Sequence, residues 1–168
     1  TRMGNSTATV ALVSRMCAAH AASSSSRSGA NEAEALAGPC TVLINNAGIF
    51  GDSMAQKLDA ITTDLMREVF EVNTLGPLRV TKALMGQLAS PGGKVVVIST
   101  GLGSIADNGS GGMYAYRTSK AAVNMVGKGM SCDLKAKGIA VGLVHPGMVL
   151  TEFAGDPDNV PEGLKKNM

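Results

Sequence analysis

Two apolar runs decide the fold of this chain: KVVVI at residues 94–98 and IAVGLV at residues 139–144. Both are short and continuous, as expected of strands that are covered on both faces of a sheet. Between them come a loop rich in Gly, Ser, Asp and Asn at 101–112 and a predicted helix from about Met113 to Lys137, with Gly138 as its natural stop. Strand, helix and strand in this order predict two parallel strands joined by a helical crossover.

The same alternation extends towards the N-terminus. Two further buried strands are predicted at residues 9–13 and 41–44, an Ala-rich helix with a broken middle at 17–37, and a long helix that Thr62 or Thr63 caps and that ends near Leu88. We therefore predict one α/β domain over residues 1–168, with a Rossmann-like parallel sheet, flanking helices and a polar surface tail at 154–168. Ligands of such sheets bind beyond the carboxyl ends of the strands.

Composition excludes several classes of function. The 168 residues are 45% hydrophobic and 17% charged, which argues against a disordered chain, and a net charge of +2 without a basic run argues against nucleic-acid binding. No apolar run is long enough for a transmembrane segment. His20 and His145 are isolated, and Cys17, Cys40 and Cys132 form no close pair, so we expect neither a metal site nor a disulfide framework.

The first thirty-one residues differ from the rest because they contain arginines, a serine run and no acidic residue before Glu32. Such a composition is typical of an organelle transit peptide. The alternative, which we favour, is a strand followed by an Ala-rich helix. The expected location is therefore the cytoplasm or the stroma or matrix of an organelle.

Tyr116 and Lys120 are the first candidates for chemistry. Four residues apart at the start of a helix, they share one face. A neighbouring ammonium favours the phenolate, so we expect Lys120 to lower the pKa of Tyr116 and to suit it to general acid–base catalysis. Tyr114 is the competing phenol, but its spacing from Lys120 turns it to another side of the helix.

Further motifs occur in a fixed order around this pair: Asn45-Asn46-Ala47-Gly48 after a strand, Asn73 within a helix, Ser99-Thr100 at a strand end, and Pro146-Gly147 followed by Thr151. Together they resemble the short-chain dehydrogenase/reductase family, strongly over residues 40–153 and weakly over residues 1–39. The loop from Gly109 to Lys120 looks most like that of the C-factor-type members.

The resemblance implies an oxidoreductase that uses NADP or NAD and acts on a small-molecule carbonyl or alcohol. Tyr116 would exchange the proton with the substrate, Lys120 would bind the nicotinamide ribose, and Asn73 would hold a water of the proton relay. The residues that would line the cofactor are Asn46, Ala47, Gly48, Lys120, Pro146, Gly147 and Thr151.

Thr100 is a first departure from the family pattern, which has a catalytic Ser at this position. Threonine keeps the hydroxyl and adds a methyl, so we expect a narrower substrate site. Ser99 or Ser104 takes over the role if the loop is set differently.

A second departure is that nothing before residue 40 supplies the family's Gly-rich phosphate loop. The segment Gly101–Ala106 fits G-x-G-x-x-A, but the residues after it cannot open a helix, and we interpret it as a substrate-side loop. Aligning residues 9–13 with the family's third strand leaves the first two strands and the last one missing. We therefore expect an open sheet edge at 41–44, covered by a second copy or another protein, and weak or lost cofactor binding. The alternative function is a catalytically silent structural subunit of a larger assembly.

Overall fold

The computed structural model describes residues 9–13, as backbone, and residues 39–147. Their sheet has four parallel strands, which follow one another in chain order across the sheet: β1 Thr9–Val13, β2 Cys40–Asn45, β3 Lys94–Ile98 and β4 Ala140–Val144. The predicted α/β parallel sheet with flanking helices is confirmed. The predictions for residues 17–37, Thr151 and the tail at 154–168 lie outside the described residues.

The helices occupy the two crossovers on either side of β3. Between β2 and β3 the chain forms α1 (Thr63–Phe70), a π-helical turn (Glu71–Leu75) and α2 (Gly76–Leu84). Between β3 and β4 it forms a 3₁₀ turn (Gly101–Gly103), α3 (Tyr114–Leu134) and a second 3₁₀ turn (Lys135–Lys137). Helical crossovers of this kind are what parallel neighbours require.

The predicted helix boundaries are confirmed at two points and differ at a third. The Thr62 side chain accepts a hydrogen bond from Leu65 N–H, and Gly138 ends the α3 unit with a left-handed φ of 65°. The helix predicted to reach Leu88 ends at Leu84 instead. The residues after it bond to the start of β2, where Cys40 N–H donates to the Gln87 carbonyl and Ala89 N–H donates to the Cys40 carbonyl.

The core lies between the sheet and the helices. Leu43 of β2, Val95 and Val97 of β3, and Val123 of α3 are at most 1% exposed. Burial of such side chains stabilises the fold by about 1.5–3 kcal/mol each, before chain entropy is subtracted. The central strands β2 and β3 are thereby fixed, and with them the positions of their carboxyl ends.

The edge of β2 differs from expectation. β1 pairs with β2 in parallel along its length, from Val10 opposite Val42 to Val13 opposite Asn45. The prediction of an unpaired edge at 41–44 is therefore wrong, because the backbone groups on that side of β2 already have partners in β1. Residues 9–13 lie directly beside the strand that ends in the Asn-Asn-Ala-Gly turn.

β4 forms where it was predicted but is less buried than its apolar sequence suggests. Leu143 and Val144 are each 41% exposed. Among the described residues, β4 pairs with β3 on one side and with no strand on the other. Within the same residues, no helix has the length and apolar character needed to cross a membrane.

Candidate active site

Tyr116 and Lys120 lie together in the first two turns of α3. Their side chains share one face, with Lys120 Nζ 5.8 Å from the centre of the Tyr116 ring. Both residues are buried, at 7% and 4% exposure. The ammonium donates a 2.8 Å hydrogen bond to the carbonyl of Ile98, the last residue of β3. The pair predicted from i, i+4 spacing is thus formed, and it is anchored to the end of a central strand.

Burial controls the acid–base properties of both groups. It raises the pKa of the Tyr116 phenol above its usual 10.0, and it lowers the pKa of the Lys120 ammonium from 10.5 to about 8. The expectation that Lys120 lowers the pKa of Tyr116 is therefore wrong for the chain by itself. Desolvation penalises the charged form of each group and exceeds their mutual attraction at this distance.

Asn73 lies in the π-helical turn and joins α3 to the segment after β2. Its Oδ1 accepts from Ile49 N–H at 2.8 Å, and its Nδ2 donates to the Ile49 carbonyl at 2.8 Å and to Ser119 Oγ at 3.0 Å. Ser119 Oγ in turn donates to the Tyr116 carbonyl. A buried amide in a helix is thereby explained by its partners, and the water proposed for Asn73 stays a prediction.

Thr100 and its two serine alternatives follow β3. Thr100 Oγ1 accepts from Leu102 N–H and caps the 3₁₀ turn, while Ser104 Oγ accepts from Asp107 N–H. Ser99 is 7% exposed and donates to Asn124 Oδ1 at 2.6 Å. Ser99 is thus committed to α3, whereas the hydroxyl protons of Thr100 and Ser104 are not needed for the bonds these residues accept. The catalytic role of Thr100 stays a prediction.

The loop after Thr100 is held against α3 by a buried arginine. Arg117, 8% exposed, donates to the Leu102 carbonyl at 3.4 Å and to Ser110 Oγ at 2.8 Å. No α-helix begins in this loop before Tyr114. The segment Gly101–Ala106 therefore lacks the helix N-terminus that a phosphate loop requires.

The predicted cofactor-lining residues follow two strands at the same edge of the sheet. Asn46 to Gly48 come directly after β2, and Pro146 and Gly147 come two residues beyond β4, where they are exposed. Lys120 fits the role of a ribose ligand, because among the described residues its ammonium has one hydrogen-bond acceptor, the Ile98 carbonyl. Two of its three protons are left for hydroxyl groups of a ligand.

Gln56 was missed by the sequence analysis. It is 1% exposed, its Nε2 donates to the Phe50 carbonyl at 2.7 Å, and its Oε1 accepts from Tyr116 N–H at 3.0 Å. The rings of Phe50 and Tyr116 lie 4.7 Å apart. The available signal was the start of α3, where Met113 occupies the cap position and has no side-chain oxygen to accept the first N–H groups.

Comparison with known proteins places these features in a family. The family model for short chain dehydrogenases matches residues 10–159. This range includes the strands, the helices and all of the candidate site residues.

Two characterised relatives and one solved structure show similar extents of likeness. The chain is 41% identical over 129 residues to a 1-hydroxy-2-glutathionyl-2-methyl-3-butene dehydrogenase from a Rhodococcus species, covering 71% of this chain and 57% of that one. It is 43% identical over 125 residues to the C-signal protein of Myxococcus xanthus, covering 74% of each. It superposes with a TM-score of 0.66 and 31% identity on an NADPH-bound carbonyl reductase from chicken fatty liver, covering 83% of this chain and 56% of that one.

The shares of length matter for what can be inferred. The chain spans 57% of the Rhodococcus enzyme and 56% of the chicken reductase. The matched part contains the acid–base pair and the residues next to it.

Proposed function

The chain belongs to the short-chain dehydrogenase family, and from this premise we propose that it carries the acid–base centre of an NAD(P)(H)-dependent oxidoreductase acting on small carbonyl or alcohol compounds. The observation that carries the proposal is the buried Tyr116–Lys120 pair, anchored to the end of β3 through the Ile98 carbonyl. The NADPH bound by the chicken carbonyl reductase supports the use of a nicotinamide cofactor.

In this proposal Tyr116 gives its phenolic proton to the oxygen of the substrate carbonyl. A raised pKa keeps the phenol protonated at neutral pH, which is the form that carbonyl reduction needs. A bound nicotinamide would supply the hydride to the carbonyl carbon, giving the alcohol. The phenolate left on Tyr116 lies beside the Lys120 ammonium, which stabilises it until solvent returns the proton.

Lys120 serves the reaction in two ways. Its charge lies close enough to the Tyr116 ring to favour the phenolate once the proton has left, and its remaining protons would bond to ribose hydroxyls. Acceptors of this kind compensate a buried ammonium and would raise the pKa of Lys120 again. Asn46, Ala47, Gly48, Pro146 and Gly147 would line the nicotinamide side, and Thr151 would follow them.

One observation favours the second candidate, a catalytically silent structural subunit. The pKa of Tyr116 is raised in the chain by itself, so the phenolate required for alcohol oxidation is disfavoured. A silent subunit would keep the fold and the buried pair without turnover. Activity measurements on the two tyrosines distinguish the candidates.

The test compares Tyr116→Phe with Tyr114→Phe, since these are the chain's two tyrosines. With NADPH or NADH and a panel of aldehydes and ketones, we expect Tyr116→Phe to lower kcat/KM at least a hundredfold, within the range that general acid catalysis contributes. Tyr114→Phe should retain the activity of the parent chain. Activity of Tyr116→Phe within tenfold of the parent, about 1.4 kcal/mol of barrier, would refute the role of Tyr116. No turnover in the parent chain would favour the silent subunit.

A further inference from the structure

Helix α3 begins without a capping side chain of its own. Met113 is at the cap position with a φ of 49°, and it offers no hydrogen bond to the first turn. The first N–H groups of a helix have no partner within the helix, and leaving them buried and unbonded is costly. Arg117 N–H is the first to bond to the helix backbone, at the Met113 carbonyl.

Gln56 supplies the missing acceptors from a distant segment. Its backbone carbonyl accepts from Tyr114 N–H at 3.4 Å, and its side-chain Oε1 accepts from Tyr116 N–H at 3.0 Å. These are the first and third residues of α3. Gln56 therefore acts as a cap that comes from sixty residues earlier in the chain.

The other end of the Gln56 amide holds the partner of the Tyr116 ring. Nε2 donates to the Phe50 carbonyl, and the Phe50 ring lies 4.7 Å from that of Tyr116 at an angle of 41°. One buried side chain thus fixes both the backbone that carries the phenol and the ring that packs against it. Asn73 makes a parallel connection from Ile49 to Ser119.

We propose that Gln56 is a positioning residue, which caps α3 and sets the place of the Tyr116 phenol through its bonds to Tyr116 N–H and the Phe50 carbonyl. Its relevance to catalysis rests on the proposed function, whereas its effect on Tyr116 does not. Gln56 touches neither a substrate nor the phenolic oxygen in this arrangement. It acts through the backbone of the residue that does the chemistry.

The test uses substitutions that separate the two bonds. Gln56→Met keeps the length of the side chain and removes both, while Gln56→Glu keeps the oxygen that faces Tyr116 N–H and removes the donor to Phe50. Thr118→Val is the matched control, because it removes another side-chain bond of the same turn, from Thr118 Oγ1 to the Tyr114 carbonyl. The full 168-residue chain is used throughout.

Amide hydrogen exchange of chain labelled with ¹⁵N-tyrosine gives two signals, Tyr114 and Tyr116. We expect Gln56→Met to speed the exchange of Tyr116 about tenfold, as the loss of one hydrogen bond implies, and Gln56→Glu to stay within about threefold. Thr118→Val should leave it unchanged. A ¹³C label on the phenol provides the second measurement, in which Gln56→Met should move the pKa of Tyr116 down towards its usual value as water reaches the ring.

Three results would overturn the proposal. Tyr116 exchange in Gln56→Met within about twofold of the parent would show that the bond does not protect this amide. Equal acceleration in Gln56→Met and Gln56→Glu would show that the acceptor oxygen is not what matters. Unfolding of both variants would show that the whole domain requires Gln56, which is a structural role and not a positioning one.

The outcome is independent of turnover, so it is distinguishable from failure of the proposed function. If the chain is active, Gln56→Met should lower kcat about tenfold and leave KM within about twofold, because misplacing a reacting group affects the transition state more than binding. A change confined to KM would contradict a role in placing the phenol. Exchange and titration results would stand in either case.

Discussion

The buried ammonium of Lys120 makes the stability of this domain depend on pH in a way that one substitution isolates. The pKa of Lys120 is lowered from 10.5 to about 8 by burial. Below pH 8 both the folded and the unfolded chain keep the proton, and the folded state bears the cost of a buried charge. Between pH 8 and 10.5 the folded state loses the proton first, so the free energy of unfolding rises with pH.

The magnitude follows from the two pKa values. The difference between 10.5 and about 8 corresponds to about 3 kcal/mol when complete, and roughly 2 to 3 kcal/mol of it develops between pH 7 and pH 10. Lys120→Met removes the titrating group and keeps a side chain of similar length. We therefore expect the stability of the parent chain, relative to Lys120→Met, to increase by this amount over that interval.

Urea unfolding of both proteins at pH 7, 8, 9 and 10 measures the difference, and contributions common to the two proteins cancel. The series stops at pH 10 because the pKa of Tyr116 is raised above that value, so its phenol stays protonated in the folded state. Lys128→Met, at an exposed position of the same helix, controls for the loss of one positive charge from α3. A difference between parent and Lys120→Met that stays flat within about 0.5 kcal/mol would refute the burial of a charged Lys120.

Two further predictions concern the scaffold of the site. Gly103→Ala should lower the free energy of unfolding by about 1–3 kcal/mol, because its Cβ would lie 2.9 Å from the backbone of Lys120, whereas Gly129→Ala, with open space around it in α3, should raise stability by up to about 1 kcal/mol; urea unfolding measures both, and equal effects would contradict the close contact. Thr62→Ala should cost about 1 kcal/mol by removing the cap of Leu65 N–H, and Thr62→Ser should restore most of it, so an unchanged urea midpoint in Thr62→Ala would exclude the cap.

The sequence was sufficient for elements whose cause is local. KVVVI predicted β3 to the residue, because a continuous β-branched run has few alternatives to a buried strand. The start of α1 at Thr62 and the stop at Gly138 followed from cap chemistry that adjacent residues express. The i, i+4 spacing brought Tyr116 and Lys120 together, since helix geometry alone places them on one face.

Features that depend on tertiary contacts could not be read in the same way. Pairing of β1 with β2 is a choice between sheet neighbours that no local pattern encodes. The early end of α2 depends on bonds between Cys40 and the residues around Leu88. The direction of the Tyr116 pKa depends on how completely the surrounding protein excludes water, and spacing along a helix contains no information about this.

The first turn of α3 shows why the site and the fold cannot be separated in this protein. An isolated helix with Met113 as its cap would not begin at Tyr114, because its first N–H groups would have no acceptors from the protein. Here those acceptors come from Gln56, and Ser119 is tied to the π-helical turn through Asn73. The start of the helix, and with it the position of the phenol, is therefore set by segments that follow β2. It follows that substitutions in those segments should alter the chemistry of Tyr116 without touching it.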